Sequence, residues 1–180
     1  MIRCFVATKI PDDISKEIAG FCNRFLVKSN LKLKSVPPDN YHITLKFLGD
    51  TGEDIILPIE SELDAVSLEL ETLSVSLGDL LFFPSGRGRG SIVIRVDGNL
   101  RSVAELVNEK MEKFGYKRTG NFAPHVTVFR LKESGVPLLK DYNLNKLRFR
   151  VDSFSLFEST LTSKGSIYKE LSTFRWRKNE

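Results

Sequence analysis

Apolar positions along the chain switch repeatedly between a period of two and a period near 3.6. Residues 2–9, Ile-Arg-Cys-Phe-Val-Ala-Thr-Lys, read as a buried strand. Pro11-Asp12-Asp13 then opens a helix, with acid in the first turn where the dipole favours negative charge. Apolar residues at 14, 18, 21, 22, 25 and 26 keep helical spacing until Ser29-Asn30. Pro37 and Pro38 forbid helix and central strand, and predict a turn. Residues 41–48 predict a strand stopped at 49–52, and 54–67 a helix with Pro58 in its first turn. Residues 73–77 and 80–83 read as strands, 84–90 as a loop and 91–96 as a further strand. A third helix is predicted over 99–114, with Leu100, Val103, Ala104, Val107, Met111 and Phe114 on one face. Strands follow at 125–131, at 148–161 with a break or bulge, and at 167–174.

Strands and helices in mixed order, with several hairpins, predict an α+β fold with antiparallel pairing. No linker divides the chain. Each half nevertheless has a helix, a Pro-bearing loop and a strand that starts with His. That predicts a bilobal protein: two antiparallel sheets with outer helices, related by a pseudo-twofold, with a cleft between the lobes. Residues 1–180 are expected to form a single domain of two intertwined lobes.

Composition narrows the class of partner. The two Cys, Cys4 and Cys22, fall on apolar faces and are expected to be buried thiols. No apolar run approaches the roughly 18 residues of a membrane span, and residues 4–7 begin the strand without a leader pattern. A cytoplasmic monomer with no membrane partner is expected. A net charge of +4 and a pI near 9.1 suit a polyanionic partner without demanding one.

The chain has 2 His, and both sit in one local pattern. His42-Ile43-Thr44-Leu45 and His125-Val126-Thr127-Val128 each read His, aliphatic, Thr, aliphatic. In a strand, residues i and i+2 share a face, so each segment presents an imidazole beside a hydroxyl. With 9 Thr in 180 residues, Thr two positions after both histidines is a roughly 1-in-400 coincidence. Strict alternation adds Lys46 to the His42 face and Phe129 to the His125 face. It puts Arg130 on the opposite face, so Arg130 reaches the site only past a bulge.

A metal site is not expected, because zinc takes three or four protein ligands and neither a third His nor a Cys cluster exists. No Gly-x-Ser-x-Gly elbow or Walker loop occurs either. Two imidazoles either side of one small group suit paired acid–base chemistry, one neutral and one protonated. A phosphodiester fits: it needs in-line attack, a proton for the departing alkoxide and donors for the non-bridging oxygens. A bell-shaped pH profile near neutrality is expected.

At residues 42–49, His-Ile-Thr-Leu-Lys-Phe-Leu-Gly, and 124–130, Pro-His-Val-Thr-Val-Phe-Arg, the chain resembles the two-histidine phosphoesterase superfamily. It is most similar to the LigT-like RNA 2',3'-cyclic phosphodiesterases, also called 2'-5' RNA ligases. The Phe83-Pro84 pair, Ser155-Leu156, Gly165 and Tyr168 agree with the resemblance. The resemblance implies hydrolysis of a terminal 2',3'-cyclic phosphate on RNA to a 2'-phosphate, and reversible 2'-5' joining without cofactor. Carried over, His42 and His125 are the catalytic pair, and Thr44 and Thr127 hold the phosphate. Arg130 is a phosphate contact. Lys46, Phe129 and Tyr168 are substrate contacts, Tyr168 through the resemblance alone. Tyr41 and Phe129 are candidates for stacking a base. The alternatives are a phosphodiesterase of small cyclic nucleotides or 2'-5' oligonucleotides, and a non-catalytic RNA-binding module.

Other basic clusters read more blandly. Gly86-Arg87-Gly88-Arg89-Gly90 is expected to be a hairpin turn, with a basic flap on RNA as its rival. Lys110, Lys113, Lys117 and Arg118 are expected to be a solvated face. Lys146, Arg148 and Arg150 alternate along an exposed strand face.

Overall fold

The computed structural model describes residues 1–29, 32–86, 89–131, 139, 144, 147–163 and 165–177. The chain runs β1 (Ile2–Lys9), α1 (Asp12–Lys28), β2 (Leu33–Ser35), a 3-10 turn (Pro38–Asn40) and β3 (His42–Thr51). A second 3-10 turn (Glu53–Ile55) leads into α2 (Ile56–Leu68), β4 (Leu73–Gly86), β5 (Arg89–Asp97) and α3 (Leu100–Glu112). The remainder is β6 (His125–Leu131), β7 (Arg148–Val151), β8 (Ser153–Thr162) and β9 (Gly165–Arg175).

The strands named above pair antiparallel in the order β7-β4-β5-β6-β3-β1-β8-β9, with β2 also on β6. The two expected sheets are thus halves of one curled sheet. β3 and β6 meet through a single registered pair, Ile43 with Val126. β3 is otherwise tied to β1, and β6 to β5 and to the short β2. The last hairpin, β8–β9, returns to the first half by pairing with β1.

Helical spacing decides which sheet face is covered. α1 buries Ile14, Ile18, Cys22 and Phe25; α2 buries Ile59, Leu63 and Val66. α3 buries Leu100, Val103, Ala104, Val107 and Met111. All three stripes join one core with Val6, Ile43, Leu45, Ile92, Ile94, Val126 and Val128 of the sheet. Each fully buried aliphatic side chain contributes about 1.5–3 kcal/mol. The other face of β1 carries a separate small cluster of Phe5, Ala7 and Phe157, with Tyr168 against it.

Several boundaries differ from expectation for local reasons. The strands predicted at 73–77 and 80–83 are one strand, β4, with a register shift between Leu77 and Leu80. The predicted break in 148–161 falls at Asp152, between β7 and β8. β2 is a strand the periodicity does not predict, because three residues are too few to show a period. The 84–90 segment is a β4–β5 hairpin, closed at Gly86 and Arg89. Arg87 and Gly88 lie outside the described residues, as do Asn30 and Lys146. Gly90 is fixed by space: a Cβ there would lie 2.5 Å from the Phe82 ring and from the Phe83 carbonyl. Cys4 and Cys22 are buried free thiols, and burial pushes the Cys22 pKa up to about 11. Among the described residues no helix is long and apolar enough to cross a membrane.

Candidate active site

β3 and β6 both open with His, and both rings are held alike. His42 Nδ1 lies 2.7 Å from the Asn40 carbonyl, and His125 Nδ1 lies 2.7 Å from the Ala123 carbonyl. A carbonyl oxygen only accepts, so Nδ1 carries a proton and donates in each case. The free Nε2 then acts as a base when the ring is neutral and as an acid when it is charged. Both rings line one cavity of about 400 Å³, together with Thr44, Thr127 and Arg130.

The two strands share a further feature that strict alternation misses. Residues 42–48 and 125–131 follow the same burial sequence, with two consecutive buried residues in the middle. Pairing explains it. Along β1, Val6 faces Lys46 and Ala7 faces Thr44, so Leu45 is bulged. Along β5, Ile92 faces Phe129 and Val93 faces Thr127, so Val128 is bulged. A bulge adds one residue and reverses every face beyond it. The Val128 carbonyl accepts from Val36 N–H at 2.9 Å, which anchors that bulge.

This phase change corrects three expectations. Arg130, expected on the far face without a bulge, lines the cavity with His125. Phe129, expected to face the substrate, is 0% exposed and packs on Phe25 with ring centroids 5.6 Å apart. Lys46, also expected on the cleft face, is 3% exposed and points into the helical side. Its ammonium donates to Asn108 Oδ1 at 2.7 Å, to Thr119 Oγ1 at 3.3 Å and to the Lys117 carbonyl. It braces α3 and the segment leading towards His125. Burial pushes its pKa down.

Phe47 takes the place Lys46 was expected to fill. It lines the cavity, is 71% exposed and pairs with Phe5 across β1. Phe5 and Tyr168 complete an aromatic wall at His42, with centroids 5.1 and 5.2 Å from its ring, Tyr168 edge-on. Tyr168 therefore holds His42 as well as lining the cavity. Tyr41 does not line that cavity: it is 4% exposed, and its hydroxyl contacts Cys22 Sγ at 3.9 Å. On the other side Phe83 packs on His125 at 4.8 Å, and Arg130 Nη1 donates to Ser91 Oγ at 3.1 Å.

Burial lowers the pKa of both imidazoles below the ordinary 6.5, partly offset by the carbonyls of Asn40 and Ala123. The Arg130 charge lowers both further, and His125 also lowers His42. Among the described residues no three His, Cys, Asp or Glu side chains gather as metal ligands would.

The other basic clusters lie apart. Lys113 pairs with Glu62 and Arg118 with Glu112, both at 2.8 Å, and Lys110 approaches Glu69 at 3.8 Å. Arg148 and Arg150 share the exposed face of β7.

Two imidazoles held alike in one cavity that Arg130 also lines place this protein among the two-histidine phosphoesterases. More narrowly, it belongs to the LigT-like phosphoesterase family, whose model matches residues 9–94 and, separately, 95–168. Each match carries one histidine. An RNA 2',3'-cyclic phosphodiesterase of Archaeoglobus fulgidus is 32% identical over 180 residues, 96% of this chain and 99% of its own. The enzyme of that name from Methanocaldococcus jannaschii is 29% identical over 177 residues, 93% and 97% of the two chains. Among solved structures, TT0787 of Thermus thermophilus aligns with a TM-score of 0.85 at 21% identity, covering 99% of this chain and 100% of that one. E. coli LigT complexed with 3'-AMP aligns at 0.81 and 19% identity, covering 97% and 98%. At these identities the two structures speak for the fold.

Proposed function

We propose that this protein opens the 2',3'-cyclic phosphate at the end of an RNA and leaves a 2'-phosphate, by acid–base catalysis between His42 and His125. One observation carries the reading: both Nδ1 atoms are committed to backbone carbonyls, at 2.7 Å each, beside a single cavity. That frees two Nε2 atoms for proton transfer. The names of the A. fulgidus and M. jannaschii relatives support the substrate.

Thr44 and Thr127 donate hydroxyl hydrogen bonds to the non-bridging oxygens, and the Arg130 guanidinium offsets the charge that builds on them. The ribose belongs on the aromatic side, beside Phe5 and Tyr168, with its base on the exposed Phe47 ring. Its 3'-oxygen then adjoins His42. Neutral His125 takes a proton from water on the opposite side as the water oxygen bonds to phosphorus. The P–O3' bond breaks in line, and the 3'-oxygen takes the Nε2 proton of charged His42. The phosphate stays on the 2'-oxygen. Each proton transfer supplies about 10²–10⁴-fold. A 5'-hydroxyl in place of water gives a 2'-5' linkage by the same ring opening.

The test is an oligonucleotide ending in a 2',3'-cyclic phosphate, incubated with and without EDTA. Turnover to the 2'-phosphate in both is expected. Loss in EDTA with recovery on adding a divalent metal overturns the mechanism, and a 3'-phosphate product overturns the role given to His42.

A further inference from the structure

Lys46 is the one charged side chain buried among the described residues, and the chemistry proposed above does not use it. No carboxylate pairs with its ammonium among the described residues; Glu112 is the acid whose charge reaches it. Burying an unpaired charge is costly, and an apolar side chain of similar volume avoids that cost. Phe129, at the matching position after the bulge of β6, is such a side chain.

The ammonium is spent on the chain that enters β6. Residues 113–124 contain no helix or strand, so their contacts alone place them. Lys46 Nζ donates to the Lys117 carbonyl and to Thr119 Oγ1 at 3.3 Å. It also donates at 2.7 Å to Asn108 Oδ1, which accepts from Thr119 N–H at 2.9 Å. Tyr116 meets β3 again, its hydroxyl 2.9 Å from Thr51 Oγ1. Further along, Arg101 Nη2 donates to the Phe122 carbonyl at 3.1 Å and Val96 N–H to the Pro124 carbonyl at 3.0 Å. Between those two lies Ala123, whose carbonyl holds His125 Nδ1.

The chain that enters β3 needs no such brace. Asn40, whose carbonyl holds His42, sits in a 3-10 turn closed by its own backbone. Asn40 N–H donates to the Pro37 carbonyl at 2.9 Å, and Tyr41 N–H to the Pro38 carbonyl at 3.0 Å. Asn40 Nδ2 adds a bond to the Ser166 carbonyl at 3.0 Å. The lysine therefore stands on the strand of one histidine and secures the approach to the other.

We propose that Lys46 is a positioning residue for His125: it fixes the segment that brings the Ala123 carbonyl to the ring, and so keeps His125 in the Nδ1–H form. The proposal rests on the function proposed above, in which Nε2 of neutral His125 takes a proton from water. A ring released from the Ala123 carbonyl carries its proton on either nitrogen. With that proton on Nε2 the neutral ring has no lone pair there and cannot act as the base.

The experiment replaces the ammonium and keeps the stem, Lys46→Met, and reads the two rings by imidazole 15N NMR at about pH 8, where both are neutral. The chain's 2 His make each ring the control for the other. His125 is expected to become a mixture of Nδ1–H and Nε2–H forms, while His42 stays Nδ1–H. On a cyclic-phosphate dinucleotide, kcat should fall about 10–100-fold, the cost of a slightly misplaced group, with KM little changed. Thr119→Val, at the exposed end of the same network, should shift His125 alone by a smaller amount, and it decides the matter if Lys46→Met does not fold. Both rings unchanged overturns the proposal, even if stability falls. A change of equal size at His42 also overturns it, because that is general loosening. No turnover by the unaltered protein overturns the functional reading and the catalytic part of this one, and the NMR arm still decides whether Lys46 sets the His125 ring.

Discussion

The two halves of the cleft share a backbone and divide the chemistry. β3 and β6 each start with His, donate from Nδ1 to a carbonyl two residues upstream, and bulge three residues later. Beyond the bulge they part. The core-facing residue is Lys46 in one half and Phe129 in the other; the cleft-facing residue is Phe47 in one and Arg130 in the other. Their cross-strand neighbours follow suit, Phe5 beside Phe47 and Ser91 beside Arg130. A repeated backbone thus fixes where the two imidazoles stand. The residues after the bulge make one side apolar, fit for a nucleoside, and the other cationic, fit for phosphate and water.

The shared part is broken by His42→Ala or His125→Ala. Each should cut kcat by about 10²–10⁴-fold. Together they should cost less than the product of the two, because acid and base act in one step. Steady-state kinetics on a cyclic-phosphate dinucleotide checks both points.

The core-facing difference is tested by stability. Phe129→Ala should cost about 3–5 kcal/mol through the cavity it leaves. Lys46→Ala removes the ammonium from the Lys117 carbonyl and leaves Asn108 Oδ1 with the Thr119 N–H alone, and should cost about 1–3 kcal/mol. Denaturant unfolding reads both. If Lys46→Ala is neutral, its ammonium braces nothing.

The cleft-facing difference separates binding from chemistry. Phe47→Ala should raise KM by about 5–150-fold, the worth of one stacked base. It should leave hydrolysis of a base-free ribose cyclic phosphate unchanged. Arg130→Ala should slow both substrates alike. If the two variants behave identically, the division is wrong.

The smallest effect is on stability against pH. Both imidazoles titrate below 6.5 in the folded protein. Between those values and 6.5 the unfolded chain binds more protons, so stability falls as pH drops through that window. His42→Asn and His125→Asn should each flatten the fall in a series of thermal melts. The same shifts place the kcat/KM optimum on the acid side of 6.5, further than an unperturbed imidazole suggests.

Much of this is legible in the sequence. The antiparallel α+β fold follows from periodicity, and the repeated His-x-Thr pattern marks both halves of the cleft. The faces of Lys46, Phe129 and Arg130 come out wrong when alternation is carried past the Thr without a bulge. A signal for the bulge exists. In 42–48 and in 125–131 an aliphatic residue stands one, three and six positions after the His, where strict alternation asks for one, three and five. A Leu at the sixth position in both strands is a change of phase. Other features have no local signal. Asn40 and Ala123 act through carbonyls, which any residue supplies.

The division of labour between the histidines is tested most directly by pH profiles of kcat/KM for the two single variants. The base gives the limb that rises from acid pH, and the acid gives the limb that falls at alkaline pH. His125→Ala should lose the rising limb and keep the falling one; His42→Ala should do the reverse. An exchange of the two losses would reverse the assigned roles, and both limbs surviving in both variants would contradict catalysis by the imidazole pair.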